Sequence, residues 1–186
     1  MDYKDYILKK CRENNSTNPL EIAQEILSHA EFPAAGQAHH SLIACSMLAA
    51  YANAKDGINK EEIIHAGMKR ADSIPGGFCA GFGADAAVIS LGIALSVILN
   101  NNIKKETDLG RAKAHTLTGM GMLHIANNRG NRCCRRSTYA MLCLGTNYFN
   151  QNMGVSLGTT PESSIKCSLK EQNPLCNGID CKYYLS

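Results

Sequence analysis

The apolar residues set the fold class, because their period is helical from the N-terminus to about residue 157. Side chains three and four apart recur in segment after segment, as in Ile22, Ile26 and Leu27. No run alternates with a period of two between turn residues, and no internal repeat is evident. Helical stretches are predicted over residues 2–12, 19–30, 39–55, 59–72, 84–99, 105–127 and 133–149. Asn18 with Pro19 and Glu21, and Asn59 before two glutamates, read as helix starts. Ile74-Pro75-Gly76-Gly77 is a decisive break. These signals predict an all-α chain: one compact helical domain of about seven helices over residues 1–157, with a cysteine-bearing tail, 158–186, folded onto it.

A chain of 186 residues suits one domain with a single core. Its net charge of +3, the absence of any Lys/Arg-rich run and a small stock of aromatics give no case for nucleic acid. The longest apolar stretch, residues 86–99, is short of the roughly 20 residues of a membrane span and includes Ser90, Gly92 and Ser96. It reads as a buried helix, so no membrane partner is expected. The charged start Met-Asp-Tyr-Lys-Asp-Tyr lacks a signal peptide's apolar core. A cytoplasmic, reducing setting follows as an expectation, and there nine cysteines favour metal binding or thiol chemistry over stapling. Ala- and Gly-rich helix faces would allow a homodimer.

The tail holds Cys167, Cys176 and Cys181 in a polar stretch with no apolar period. Thiols placed there add little to a core, so three together suggest a metal-bound clamp. Their Cys-x8-Cys-x4-Cys spacing is neither a zinc-ribbon nor a ferredoxin pattern. Three thiolates leave one position of a tetrahedral site, or one iron of a [4Fe–4S] cluster, to another ligand. Cys134, Cys133 and Cys79 are the candidates, as are solvent or substrate, and Cys134 is taken as the fourth metal ligand. The bland alternative is a set of surface thiols or a zinc clip.

Cys133-Cys134 open a predicted helix among Arg129, Arg132, Arg135 and Arg136. The helix dipole and the guanidinium groups would favour thiolate, making one of the pair a ligand and the other a nucleophile. Adjacent helical residues point about 100° apart, so the two should face different surroundings. The arginine cluster could instead bind an anion or be a solvated face. Cys79 lies in a glycine-rich loop that would let a ligand approach the main chain. Asp85 is placed as the cap of the following helix. His39-His40 can act as acid and base near neutral pH or ligate metal, with one of them expected to face inward. Cys79, Cys133, His39 and His40 are therefore the candidate catalytic residues. Cys11, Cys45 and Cys143 sit in apolar patterns and read as core. No nucleophile elbow, zincin helix or radical-SAM motif is present.

Four motifs in order carry a resemblance: Gly36-Gln37-Ala38-His39-His40, Pro75-Gly76-Gly77-Phe78-Cys79, Arg132-Cys133-Cys134-Arg135-Arg136-Ser137 and the Cys167/Cys176/Cys181 tail. From about Phe32 to Tyr184 the chain resembles an uncharacterised cysteine-rich domain family of anaerobic bacteria and archaea, found alone or fused to methyltransferase or radical-SAM modules. The resemblance implies that these positions form one site and carries no settled activity. The family often has His where this chain has Ala35, and a second Cys where it has Asp85. More remotely, the order of helix, glycine loop and helix is similar to small helical redox-type proteins.

The expected function is metal binding in anaerobic metabolism. An iron–sulfur cluster is the expected cofactor, with a small molecule acted on by lyase or sulfur-transfer chemistry. Zinc in a non-catalytic binding module is one alternative. A metal-free thiol-redox protein using Cys79, Cys133 and Cys134 is the other.

Overall fold

The computed structural model describes residues 1–128, 130–131, 133–167, 169 and 172–184. Eight α-helices are present among the described residues: α1 Tyr3–Glu13, α2 Pro19–Leu27, α3 Ala38–Ala54, α4 Lys60–Asp72, α5 Phe78–Gly81, α6 Ala86–Ile98, α7 Asp108–Asn127 and α8 Cys134–Asn152. Among the described residues there is no strand, only an isolated bridge between Cys167 and Tyr184. No described helix is long and apolar enough to cross a membrane.

Helix α3 is the axis of the molecule. Its sequence, AHHSLIACSMLAAYANA, is apolar on every face, so it must be covered all round. Helices α1, α2, α4, α6 and α8 supply that cover. Leu42, Ile43, Met47 and Leu48 are fully buried there with Ile7, Ile22, Ile26, Ile64 and Leu91. Small residues allow the close approach of α6 to α8. A Cβ added at Gly145 would come within 2.5 Å of Leu91 Cδ1 and 3.2 Å of Met47 Cε.

Local chemistry sets the helix ends. Asn18 Oδ1 accepts from Leu20 N at 3.0 Å, Asn59 Oδ1 from Glu62 N at 3.2 Å, and Asp85 Oδ1 from Ala87 N at 2.8 Å. Two elements differ from the sequence expectation. The stretch begun at 105 is a single 3-10 turn, Lys105–Thr107, before α7 proper. The glycine loop also contains a short helix, α5, entered through Gly77 in the left-handed region (φ +77).

The tail returns along the helical body. Gly158 N donates to Thr17 O at 3.0 Å, and Asn18 Nδ2 donates to Thr160 Oγ1 at 2.7 Å. Farther on, Ile165 and Tyr183 are buried, Tyr183 stands edge-on to Tyr139 of α8 at 5.3 Å, and its hydroxyl donates to Glu162. Cys167 N donates to Tyr183 O at 2.7 Å, closing the cysteine-bearing stretch into a loop.

A candidate four-thiol pocket and an adjoining cleft

The start of α8 organises the site. Cys133 is its N-cap residue, with extended backbone (φ −140, ψ 110), and Cys134 is its first helical residue. This change of backbone conformation sends the neighbouring thiols to different places. Cys133 turns toward the tail, where Asn173 Nδ2 donates to its sulfur at 3.3 Å. Cys134 turns toward the start of α3, where its sulfur accepts from Gly36 N at 3.4 Å.

Cys133, Cys167, Cys176 and Cys181 line one narrow pocket, together with Arg135 and Tyr139. The sequence expectation set Cys134 with the tail thiols; in the structure Cys133 has that position. Asn173, 7% exposed, braces the loop by donating to Cys133 and accepting from Leu175 N at 3.1 Å. The Cys176 sulfur accepts from Gly178 N at 3.4 Å. Asn177 ties the tail to the turn before α8 by accepting from Asn131 N at 2.9 Å. A side chain at Gly130 (φ +136) would run into Asn177 and Arg136, so only glycine suits that crossing.

Arg135 is 4% exposed. Its Nη2 donates to Leu27 O at 2.9 Å, while its Nε has no hydrogen-bond partner among the described residues. No described carboxylate forms an ion pair with it. A guanidinium buried in this way calls for a negative counterpart.

Burial outweighs the helix dipole at Cys133. It pushes the thiol above its ordinary range, and Cys167 adds to the rise. The amides of Arg136 and Arg135 and the Arg136 guanidinium pull the other way. This reverses the expectation that dipole and arginines would lower it outright. Arg129 and Arg132 lie outside the described residues.

A second, small inner cavity adjoins the first. Cys79, Cys134, His39 and His40 line it, and Cys133 is shared between the two. Cys79, from α5, accepts from Ala86 N at 3.2 Å at the start of α6. Both histidines are buried, His39 at 1% and His40 at 6% exposure, where one alone was expected to face inward. His39 stands edge-on to Phe32 at 5.4 Å, and among the described residues neither of its ring nitrogens makes a well-formed hydrogen bond. Burial lowers its pKa to about 3, Arg135 and His40 act in the same direction, and the Gly36 backbone opposes them. The ring is therefore neutral at physiological pH.

An open cleft of about 820 Å³ reaches Cys79 and Cys133 from outside, between the end of α7 and the start of α8. Asp85 and Arg136 stand in its wall. Asp85 Oδ2 accepts from Ser137 Oγ at 3.3 Å, so the residue that caps α6 also ties α6 to α8. Cys133 borders all three spaces.

The residues singled out in the sequence thus fall in two adjoining groups: Cys133 with the tail thiols, and Cys79, Cys134, His39 and His40 behind them. Sequence reasoning missed Asn173 and the buried role of Arg135. Asn173 gave no signal beyond its place between two tail cysteines. Arg135 looked like one member of a solvated cluster. Cys11 and Cys45 are core thiols as expected, burial raising Cys11 to about 12. Cys143 is only partly buried.

Among the described residues no three His, Cys, Asp or Glu side chains are grouped closely enough to hold a single metal ion. One tetrahedral zinc, with Zn–S near 2.3 Å, would need its thiolates drawn tightly together. A four-iron cluster spreads its four cysteines around a larger body. Four thiols lining one pocket beside a buried guanidinium are donors of the kind a thiolate-bound, anionic centre takes.

No curated protein and no solved structure matches the chain. A family model does match, over residues 7–184, a span that takes in every residue of both cavities. The chain therefore belongs to the family of unknown function DUF5714.

Proposed function

We propose that this is an iron–sulfur protein whose cluster is held by Cys133, Cys167, Cys176 and Cys181. The observation that carries the reading is the convergence of the three tail cysteines with Cys133 on one pocket beside Arg135. The buried guanidinium offsets the negative charge that four thiolates bring. Asn173 orients Cys133 and the amides at the start of α8 partly offset the rise in its pKa, while Gly178 N donates to Cys176.

With four cysteines holding its irons, such a cluster would supply electron transfer, and a small molecule would be handled by the residues around it. The remaining residues suit the small-molecule role. The cleft admits a ligand as far as Cys133 and Cys79, with Arg136 available for its negative group and Asp85 for a positive one. His39, held neutral, offers one ring nitrogen to accept and one to donate a hydrogen bond at the inner end. Lyase or sulfur-transfer chemistry on a small molecule is the class of reaction this arrangement suits. An anaerobic, cytoplasmic setting belongs to the same proposal.

A second reading has its own support. Cys79, Cys133 and Cys134 share the inner cavity, which suits a thiol-redox protein that works without metal. Iron, sulfide and zinc analysis with a visible spectrum, on protein purified without oxygen, separates the two. Roughly four irons and four sulfides per chain in a brown sample support the cluster. Colourless, metal-free protein that loses two accessible thiols on mild oxidation supports the redox reading. One zinc and no colour would contradict both.

A further inference from the structure

Three features outside the four-thiol pocket meet at the inner cavity. Cys79 and Cys133 both stand in the wall of the cleft and of the cavity; Cys133 also borders the four-thiol pocket, which leaves Cys79 as the thiol to meet a molecule entering from outside. Cys134 and Cys133 line the same small space. His39 lines it too, 1% exposed, with neither ring nitrogen in a well-formed hydrogen bond among the described residues, although the Gly36 backbone lies near the ring. A buried imidazole left in that state serves a ligand better than it serves the fold.

Both inner sulfurs are held in place by backbone amides. Cys79 accepts from Ala86 N at the start of the 13-residue α6, and Cys134 accepts from Gly36 N. Arg136 in the cleft wall favours an anionic visitor. An alkylating electrophile would leave Cys79 capped as a stable thioether, with no use for a second thiol. A sulfane sulfur can pass from thiol to thiol by the same exchange that delivered it. Three thiols around one cavity therefore argue for sulfur as the transferred group.

We propose that Cys79 accepts sulfane sulfur from a small anionic hydropersulfide that enters through the cleft. The Cys79 thiolate attacks the terminal sulfur of R–S–SH. An Sγ–S bond forms as the donor's S–S bond breaks, and R–S⁻ leaves with the electron pair. The proton stays on the transferred sulfur, giving Cys79–S–SH with no net oxidation or reduction. His39 hydrogen-bonds the transferred sulfur, and Cys134 is the next thiol in line. The activity goes beyond the cluster reading and does not depend on it.

The test treats the whole protein, kept free of oxygen, with cysteine hydropersulfide, followed by alkylation and mass spectrometry of intact chain and peptides. Wild type gains one sulfur atom on the Cys79 peptide, the Cys79→Ser variant loses that gain, and His39→Leu slows it. Sulfur on the tail peptides alone, no gain anywhere, or a disulfide from Cys79 to Cys133 or Cys134 would overturn the proposal. Helical circular dichroism shows that each variant has folded. Metal content measured on the same samples separates the two ideas. Full metal without sulfur gain overturns sulfur acceptance alone, and sulfur gain without metal overturns the cluster alone.

Discussion

His39 gives a direct handle on the site at the scale of one residue. Its ordinary pKa of 6.5 falls to about 3 in the fold because burial, Arg135 and His40 all oppose its charge. Below pH 6.5 the unfolded chain takes up a proton that the folded chain refuses. Stability therefore falls as pH drops from 6.5 toward 3. At pH 5 the loss is up to about 2 kcal/mol. Urea unfolding at pH 7.5 and pH 5 should show that loss in wild type and a flatter response in His39→Leu. An equal response in both would place the proton uptake elsewhere. The same scale explains what could be read at Cys133-Cys134. That neighbours diverge follows from helix geometry. Which of them meets the tail does not, because it depends on the path of residues 167–184, and nothing local to α8 encodes that path.

At the scale of elements, Asn18 joins two parts of the chain. It caps α2 through Leu20 N and holds Thr160 of the tail, and it is 4% exposed. Asn18→Ala should cost about 1–3 kcal/mol, more than a surface cap alone, because a buried bond to the tail is lost as well. Gly158→Ala should cost a similar amount, about 1–3 kcal/mol. Its new Cβ would come within 2.9 Å of Asn18 Cβ and 3.2 Å of Asn18 N, and backbone cannot step aside as a side chain can. Denaturant midpoints measure both, and a neutral Gly158→Ala would contradict the close crossing. The capping residues Asn18, Asn59 and Asp85 were legible because a short polar side chain before an apolar helix competes for its first amides. Helix α5 was not legible, since four residues rich in glycine and small side chains carry no period. The tail's course was equally hidden, set by distant partners such as Thr17, Glu162 and Tyr139.

At the scale of the whole molecule, α3 and the helices around it form an apolar body, and the polar chemistry collects at one end. There the start of α8, the short α5, the first turn of α3 and the tail come together. Arg135 lies where these parts meet, its charge enclosed between Leu27 O and the four-thiol pocket. Enclosing a cation there is costly unless the pocket carries opposite charge, which ties the stability of this end to what the thiols hold. If the pocket holds the proposed cluster, removing the metal should loosen the tail and leave the α3 body folded. Amide hydrogen exchange would show this as faster exchange over 167–184 with α3 still protected.

The central claim concerns which thiols hold the centre, and adjacent cysteines test it most directly. Iron and sulfide should be measured in Cys133→Ser and Cys134→Ser prepared side by side without oxygen, with circular dichroism to show that both fold. The account predicts that Cys133→Ser loses most of its metal while Cys134→Ser keeps wild-type content. Loss in Cys134→Ser with full retention in Cys133→Ser would contradict it.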